Sequence, residues 1–526
     1  MRTGTGRLLS HAGMAAVVVG AVVAIAVTTT PTPRQVTNST SGASQNPNID
    51  KAGRLIVFTS NVNHVTGVTT SPSGTFDFNN AGNDFTAPAA THPDPVCINC
   101  DANPDTGRPP DVYLWRLKSS GPAPANSILQ LTFSPTGAGS TANQFADINQ
   151  KGNTVAWDST HDHTGGNADG NREVFLADLS ACNFAAVPPT PPCPITQVTT
   201  STGGSNASNR NVNLDDSGNF LVFDSNRDYT GVLGCTLADG LTACNNADNN
   251  SEIMLWDRNA NKLTQITLTT GNGGAANIRP RISNDGEFVA FQSTRDFATP
   301  PPGTSCTRVG GGPCLNADGN GEIMLFDRGT PTTPPKFLQI TTTVNSSPCS
   351  GDNPNERVEI SKKGAYISFQ SRCEVQLNPT GCVSCDGNDE AFVYSMKNDS
   401  ITQVTISQGG FNRVPRISGK GGWVIFESNR NYRNQNLGNS RILYIIKRST
   451  KPGSGGTTGP GQVVDDPGPP PPPTQSAKTK LLTINFAGGF NSTVEQFGAS
   501  TNGKYFAFDN KKGVGNQEVW FINRSK

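Results

Sequence analysis

The strongest constraint on the fold is a short string that recurs along the chain. Asn316–Arg328 reads NADGNGEIMLFDR, and close copies read NADGNREVFLAD at Asn167–Asp178 and NADNNSEIMLWDR at Asn246–Arg258. Similar segments at regular spacing are the signature of a repeat protein, in which each unit buries its apolar face only against its neighbours. The chain is therefore expected to be one structural unit built many times.

Each unit contains four short apolar segments. In one unit they read RPRIS (279–283), FVAFQS (288–293), EIMLFD (322–327) and FLQIT (337–341). Segments this short, rich in β-branched and aromatic residues and separated by Gly, Asn and Asp, predict a four-stranded antiparallel sheet. A lone sheet of this kind exposes two apolar faces, and radial packing into a β-propeller buries both. The sequence thus predicts an all-β propeller.

The number of blades follows from the innermost strand of each unit. Candidate inner strands lie at 46–50, 145–149, 211–215, 279–283, 357–361, 414–418 and 494–500, which predicts seven four-stranded blades. The last unit supplies only three strands, whereas RQVT (34–37) is an isolated strand near the start of the chain. We expect this N-terminal strand to complete the last blade, because the closed ring then has no open sheet edge.

The repeats also carry a family resemblance. The succession of NDGEFVAFQSTRD (284–296), ADGNGEIMLFDR (317–328) and LQIT (338–341) resembles the TolB-type, WD-like propeller repeats of bacterial envelope proteins. The resemblance covers nearly the whole chain after the first residues. It implies the propeller fold.

The first residues predict export. Arg2 and Arg7 precede the apolar run Ala15–Val27, and Ala24–Ala26 offers a small-x-small cleavage site, so residues 1–26 are typical of a signal peptide. The run is short for a bilayer span, which needs about 20 residues. We expect a periplasmic or extracellular protein without a membrane span after cleavage. Residues 33–526 should form a single propeller domain, with a disordered Pro/Gly-rich insertion at 451–478 in blade six.

Charge and cysteine content narrow the class further. The chain has 41 basic and 41 acidic residues, so no excess of positive charge points to nucleic acid. The twelve cysteines form six neighbouring pairs: Cys97/Cys100, Cys182/Cys193, Cys235/Cys244, Cys306/Cys314, Cys349/Cys373 and Cys382/Cys385. In an exported protein this pattern predicts six disulfides, although the two CxxC pairs could instead bind zinc or act in redox chemistry. Five pairs map to the face that carries the long loops after the second strands, which predicts a rigid, disulfide-stapled loop face.

Inner strands line the channel of a propeller, so polar residues on them are candidate ligand-binding groups. The candidates are Arg279, Arg281, Arg357, Arg413 and Arg416. Clustered guanidinium groups bind carboxylate or phosphate, although Glu359 and Asp147 could pair with some of them instead.

Two sets of residues are candidate metal ligands. Asp169, Asp248 and Asp318 stand in an alternating Asn-x-Asp-x-Asn-x-Glu pattern like the odd-position oxygens of calcium loops, or else they cap a turn. Four histidines, including His92, lie on the second-strand loops of the first two blades. Of these, His64, His161 and His163 could bind a transition metal, as in propeller lyases that resemble this fold, or could be solvated.

The sequence favours an exported, non-catalytic scaffold that binds a protein or glycan partner through its stapled loop face. No GxSxG motif is present, and no catalytic residue is assigned. One alternative is a metal-dependent, polysaccharide lyase-like enzyme that uses the histidine loops. The other is a surface structural protein stabilised by calcium, which is the one candidate cofactor.

Overall fold

A computed structural model places the predicted blades within Pro31–Lys526. The residues that it describes are 34–37, 43–61, 97–98, 109–116, 127–134, 143–182, 191–203, 208–271, 277–344, 355–373, 375, 387–430, 432, 442–447, 463–464, 482–483, 497–500, 502–511 and 517–523. Among these residues there is no α-helix, and short 3-10 helices lie at Leu179–Ala181 and Val232–Gly234.

The fold is a seven-bladed β-propeller, as predicted. In chain order, the first four blades contain the strands Ser44–Ile49, Leu55–Ser60, Asp111–Arg116 and Ser127–Gln130; Asn143–Ile148, Thr154–Ser159, Glu173–Asp178 and Ile195–Gln197; Asn209–Leu214, Phe220–Ser225, Glu252–Asp257 and Lys262–Gln265; and Asn277–Ile282, Phe288–Ser293, Glu322–Asp327 and Lys336–Gln339. In each blade the first strand is innermost and the fourth is outermost among these four.

The last three blades follow the same order. They contain Asn355–Ile360, Tyr366–Ser371, Glu390–Ser395 and Ser400–Gln403; Asn412–Ile417, Trp423–Ser428, Ile442–Lys447 and Leu482–Thr483; and Phe497–Ala499, Tyr505–Lys511 and Gln517–Asn523. Within the predicted insertion 451–478, the structure describes only Val463–Val464, which pair in parallel with Thr405–Ile406 after blade 5.

The ring closes through the N-terminal strand, which confirms the prediction for RQVT. Arg34–Gln35 pair antiparallel with the last strand, opposite Phe521 and Trp520. The Val36 amide donates to the Val519 carbonyl at 2.8 Å, and the Val36 side chain is 1% exposed in the apolar cluster between blades 7 and 1. Backbone pairing and core packing therefore both join the two ends of the described chain.

Outer-edge strands add to three blades. Cys97–Ile98, Thr236–Leu237 and Ser305–Arg308 lie parallel to the fourth strands of blades 1, 3 and 4. All three come from the long loops after the second strands. The sequence did not predict them, because segments of two to four residues carry no detectable periodicity.

Apolar clusters fill the spaces between neighbouring blades. In one of them, Val222 and Ile253 of blade 3 pack with Phe291 and Phe337 of blade 4. The second strand of each blade packs on both sides, so its side chains are buried almost without a break. This explains why the second strands read as continuous hydrophobic runs.

A ring of glycines sets the distance between blades. The turn from first to second strand contains Gly286, whose φ of +76° is the left-handed conformation that favours glycine. A Cβ atom there would lie 2.6 Å from the ring of Phe220 in the preceding blade. In every blade the equivalent glycine packs against the first residue of the second strand in the preceding blade, and Gly53 of blade 1 meets Tyr505 of blade 7. The first turn of each blade thus packs directly on its neighbour.

A buried carboxylate joins each of the first five blades to the next. The Glu252 carboxylate at the start of the third strand in blade 3 accepts from the Thr269 amide at 2.7 Å and from Asn277 Nδ2 at 2.9 Å. Asn277 is the first residue of the inner strand of blade 4. The same Glu–Asn contact occurs at Glu173, Glu322 and Glu390, with Asp111 in this role in blade 1. These joints hold the inner strands around the channel.

Candidate functional site

The inner strands line a polar central channel with a volume of about 870 Å³. All five predicted arginines line it: Arg279, Arg281, Arg357, Arg413 and Arg416. Arg210 also lines it and was not predicted. The prediction started this inner strand at 211, whereas the strand begins at Asn209.

A β-bulge in the inner strand of each of the first six blades decides which residues face the channel. The pairing with the second strand shifts between the second and fifth residues, for example between Ile278 and Arg281. The third residue adopts a positive φ in the first six blades, including +55° at Arg279 and +58° at Arg357. As a result the second, third and fifth residues are partly exposed towards the channel, while the first and last are buried.

The bulge also connects neighbouring blades. In blade 4 the Arg279 amide donates to Asp224 Oδ1 of blade 3 at 3.0 Å, and in blade 6 the Val414 amide donates to Gln370 Oε1 of blade 5 at 2.8 Å. Burial raises the pKa of Asp224 to about 6. A left-handed residue costs on the order of 1–3 kcal/mol, and this inter-blade hydrogen bond helps to hold it in place.

The fifth residues of the inner strands form what we call the floor layer: Asn48, Asp147, Asn213, Arg281, Glu359 and Arg416. Asp147 accepts from Asn48 Nδ2, from Asn213 Nδ2 at 2.9 Å and from the Leu214 amide at 2.8 Å, which joins blades 1, 2 and 3. Burial raises its pKa to about 6, against the opposing effects of these hydrogen bonds and of nearby arginines.

The other half of the floor layer is an arginine–glutamate cluster. Glu359 accepts a hydrogen bond from Arg416, and its carboxylate lies 3.8 Å from Arg281 Nε. Burial lowers the pKa of Arg416 to about 9, which leaves its guanidinium protonated at neutral pH. The floor layer therefore holds two positive and two negative side chains, and their pairing cross-links this end of the channel.

The second and third residues of the inner strands form the mouth layer, at the opposite end. Arg210 is exposed there. Glu356 Oε2 lies 3.0 Å from Arg279 Nη1 and 4.0 Å from Arg357 Nε, so one carboxylate bridges two guanidinium groups. Arg413 Nε donates to Asp389 at 2.6 Å. The mouth layer holds four arginines and one glutamate, so it carries a positive excess that the floor layer lacks.

The mouth layer opens on the face that carries the second-strand loops. The inner strand of blade 3 begins at Asn209, which pairs with Ser225, the last residue of the second strand. The loop after Ser225 therefore starts at the same end of the blade. Channel mouth and second-strand loops share one face.

His163 has the contacts of a core residue. Its Nε2 lies 2.8 Å from Asn143 Oδ1, and its ring packs edge-on against Trp157 and Phe175. Burial lowers its pKa to about 3. Tyr229 and Tyr432 make the same contact with the first asparagines of the inner strands of blades 3 and 6, at 2.6 and 2.7 Å.

The metal role of the histidines stays a prediction. The His161 and His163 rings are 4.8 Å apart, centre to centre. His64 and His92 lie outside the described residues. In the part of the chain that the structure describes, no three His, Cys, Asp or Glu side chains are grouped so as to hold a metal ion.

The aspartates of the repeated string make turn-capping contacts. Asp169 Oδ2 accepts from Asn171 Nδ2 at 3.0 Å and from the Gly203 amide at 3.1 Å. Asp248 makes the equivalent pair of contacts with Asn250 and Gly271, each at 3.0 Å. Asp318 has the same place in the repeat of blade 4. Calcium binding by these residues stays a prediction.

Three predicted disulfides form between described residues: Cys182–Cys193, Cys235–Cys244 and Cys306–Cys314. Cys373 is disulfide-bonded too, while Cys349, Cys100, Cys382 and Cys385 lie outside the described residues, as does the side chain of Cys97. Disulfides indicate an oxidising compartment. A search of the described residues for membrane-spanning helices finds no segment that is apolar and long enough.

The stapled loops of blades 3 and 4 lie along the outer rim. Cys235 directly precedes the outer strand Thr236–Leu237, and Cys306 lies within the outer strand Ser305–Arg308. The Gln265 side chain binds the backbone of Asn245 through both its oxygen and its nitrogen, at 3.0 and 2.9 Å. This contact explains the recurrent glutamine of the fourth strands. The disulfide-linked loops thus widen blades 3 and 4 at their outer edge.

No family model and no curated protein matches the chain. Among solved structures, TolB from Acinetobacter baumannii is 14% identical, with a TM-score of 0.33, over 65% of this chain and 57% of the TolB chain. The chain is a seven-bladed β-propeller, as its blades and repeats show, and its likeness to TolB is one of fold.

Other solved structures match this propeller at a similar level. Oligogalacturonate lyase from Vibrio parahaemolyticus is 10% identical, with a TM-score of 0.45, over 93% of this chain and 92% of the lyase. Acylaminoacyl peptidase from Pyrococcus horikoshii is 9% identical, with a TM-score of 0.42, over 91% of this chain and 51% of the peptidase. Identities this low show a common fold alone.

Proposed function

We propose that the protein is an exported, non-catalytic binding scaffold, whose protein or glycan partner docks on the face that carries the second-strand loops. The observation that supports this most is the shape of the channel. Its mouth layer opens on that face with exposed polar groups, while its floor layer is a cross-linked network of paired charges. A polar cup of about 870 Å³ falls within the range of roughly 300–1,000 Å³ for ligand sites.

The rigidity of the face supports the same proposal. Inter-blade hydrogen bonds hold the bulged inner strands, and disulfides hold the loops of blades 3 and 4 against the outer strands. A surface that is ordered before binding loses less conformational entropy when a partner docks. Export is proposed from the N-terminal sequence and from the three disulfides, which need an oxidising compartment to persist.

Site-specific photo-crosslinking tests which face binds. A photoreactive amino acid at Gln408 would lie on the mouth face, because this exposed residue connects the fourth strand of blade 5 to the inner strand of blade 6. The matched control is Asn398, which is exposed in the third-to-fourth turn of the same blade, on the opposite face. Both variants would be irradiated in envelope extract and in the secreted fraction of the source organism.

We expect a discrete adduct with a protein or a glycan from Gln408 and none from Asn398. Mass spectrometry of the adduct would distinguish the two partner classes. Equal labelling from both positions, or labelling from Asn398 alone, would contradict the proposed binding face.

A further inference from the structure

We infer that the mouth layer binds the carboxylate groups of an acidic peptide segment of the partner. This inference rests on the proposed function and names the chemistry of what enters the cup. It starts from the uneven distribution of charge along the channel. The mouth layer holds Arg210, Arg279, Arg357 and Arg413 against Glu356, whereas the two arginines and two carboxylates of the floor layer balance.

The carboxylates that offset this positive charge are nearly inaccessible, although two of them, Asp224 and Glu427, also line the channel. Asp224 and Glu427 on the second strands are 5% and 2% exposed, and Asp389 next to Arg413 is 6% exposed. The Arg279, Arg357 and Arg413 side chains are 32%, 35% and 42% exposed. A ligand in the cup therefore meets more exposed guanidinium surface than carboxylate surface. Such an arrangement attracts an anion even though the whole chain has no net charge.

The arginines are held in position before a ligand arrives. Glu356 lies between Arg279 and Arg357, and Gln370 Nε2 donates to the second oxygen of Glu356 at 3.0 Å. Arg413 is fixed by Asp389, and its guanidinium also lies 4.6 Å from the centre of the Phe411 ring. The planar guanidinium fork matches a carboxylate, and ordering it in advance reduces the entropy lost on binding.

The opposite wall of the cup suits a polypeptide backbone. In the first three blades the second and third residues are Gln45 and Asn46, Gln144 and Phe145, and Arg210 and Asn211. Amide side chains both donate and accept, as peptide groups do. Phe145 is the one aromatic residue among the described residues that line the channel, so the cup lacks the aromatic surface on which sugar rings stack. Guanidinium groups on one side and amides on the other therefore favour an acidic peptide.

Fluorescence anisotropy with defined peptides tests the inference on the purified protein. Labelled hexaglutamate is the probe, hexaglutamine is its uncharged match, and labelled hexagalacturonate represents an acidic glycan. We expect hexaglutamate to bind more tightly than both. Raising the salt concentration from about 50 to about 200 mM should weaken binding, because charged contacts are screened. Tighter binding of hexagalacturonate, or equal binding of hexaglutamine, would overturn the inference.

Substitutions locate the site. Arg210→Gln with Arg357→Gln should weaken hexaglutamate binding by about tenfold or more, since each removes a charge-assisted hydrogen bond from the mouth layer. The control Arg258→Gln removes one positive charge, against two in the double variant, at a partly exposed pair with Asp178 on the opposite face, and should leave binding unchanged. Far-UV circular dichroism and thermal melting would establish that the variants fold.

The outcomes separate the inference from the proposed function. Cross-linking from Gln408 without any hexaglutamate binding would leave the binding face in place and reject the acidic peptide. Hexaglutamate binding that Arg258→Gln weakens as much as the double variant would show general attraction of an anion, and would also reject the site.

Discussion

Removing the carboxylate of one blade joint should destabilise the whole propeller. Glu252 is fully buried and accepts hydrogen bonds from the Thr267 hydroxyl, from the amide and hydroxyl of Thr269, and from Asn277 Nδ2. In Glu252→Ala the hydroxyls can turn to other acceptors, and Asn277 Nδ2 keeps the Ser251 carbonyl at 3.1 Å. The Thr269 amide has no such freedom and is left buried without an acceptor.

The cost follows from these contacts. An orphaned buried amide costs about 1–3 kcal/mol, and a hydrogen bond to a charged group contributes about 1.5–3 kcal/mol. The substitution also removes the unfavourable burial of the carboxylate itself, which offsets part of this free-energy cost. We therefore expect Glu252→Ala to lower the free energy of unfolding by about 3 kcal/mol. Urea unfolding followed by tryptophan fluorescence would measure this as a lower midpoint at unchanged slope.

A matched substitution provides the control. Glu287 lies exposed in the first turn of blade 4, and Glu287→Ala should change the free energy of unfolding by no more than about 0.5 kcal/mol. Glu322→Ala and Glu390→Ala should each cost about as much as Glu252→Ala, because their carboxylates have equivalent partners. A loss below about 1 kcal/mol for Glu252→Ala would refute the view that this carboxylate joins the blades.

The same joint predicts a pH dependence. Burial raises the pKa of Glu252 to about 7 in the folded chain, above its unfolded value of about 4.3. Folded protein therefore binds this proton more tightly. The resulting stability is complete below about pH 4.3 and is lost as the pH rises through about 7. Glu252→Gln does not titrate, so the stability difference between wild type and Glu252→Gln should be larger at about pH 5 than at about pH 8. A larger difference at the higher pH would contradict this account.

Three further predictions test other contacts. His163→Tyr should leave stability within about 1 kcal/mol of wild type, because tyrosine can donate to Asn143 as it does in two other blades, whereas a large loss in thermal melting would show another role for the imidazole. Cys306→Ser with Cys314→Ser should cost about 2–3 kcal/mol in urea unfolding, the value of closing a short loop, and an unchanged midpoint would show that the outer strand holds without its staple. Val36→Asp should open the closure between blades 7 and 1 and cost about 3 kcal/mol or more, since the side chain is fully enclosed, and retention of wild-type stability would refute closure by this strand.

The fold was predictable because its signals repeat. Every blade repeats the same strand pattern, so an unclear segment in one blade can be assigned from the others. Counting the strands then showed that the last blade has only three of its own and that RQVT is an isolated strand. Strands that are not part of the repeated pattern were not predicted. Thr236–Leu237 pairs with the fourth strand of blade 3 only because the loop is long enough to return to the outer edge. A segment of two residues is too short to show a periodicity that could predict this pairing.

The candidate site was only partly predictable, for two physical reasons. The bulge in the inner strand of blade 3 brings the second residue to the channel, so Arg210 was missed although its neighbours in space were found. The repeats also contain a signal that was overlooked. His163 stands four positions after Ser159, as Tyr229 does after Ser225 and Tyr432 after Ser428, which marks it as the aromatic residue of the repeat.

The bulges link the stability of the propeller to its channel. The third residue of an inner strand turns into the left-handed region, and its amide then binds the blade before it, as Arg279 binds Asp224 and Val414 binds Gln370. The backbone of the mouth layer thus takes part in the hydrogen bonds between neighbouring blades. Moving an arginine backbone in the mouth would break an inter-blade hydrogen bond, so the cup is a rigid site whose specificity lies in side-chain chemistry. Exchanging residues at the second and third positions should therefore change which ligand binds while the backbone hydrogen bonds between blades remain.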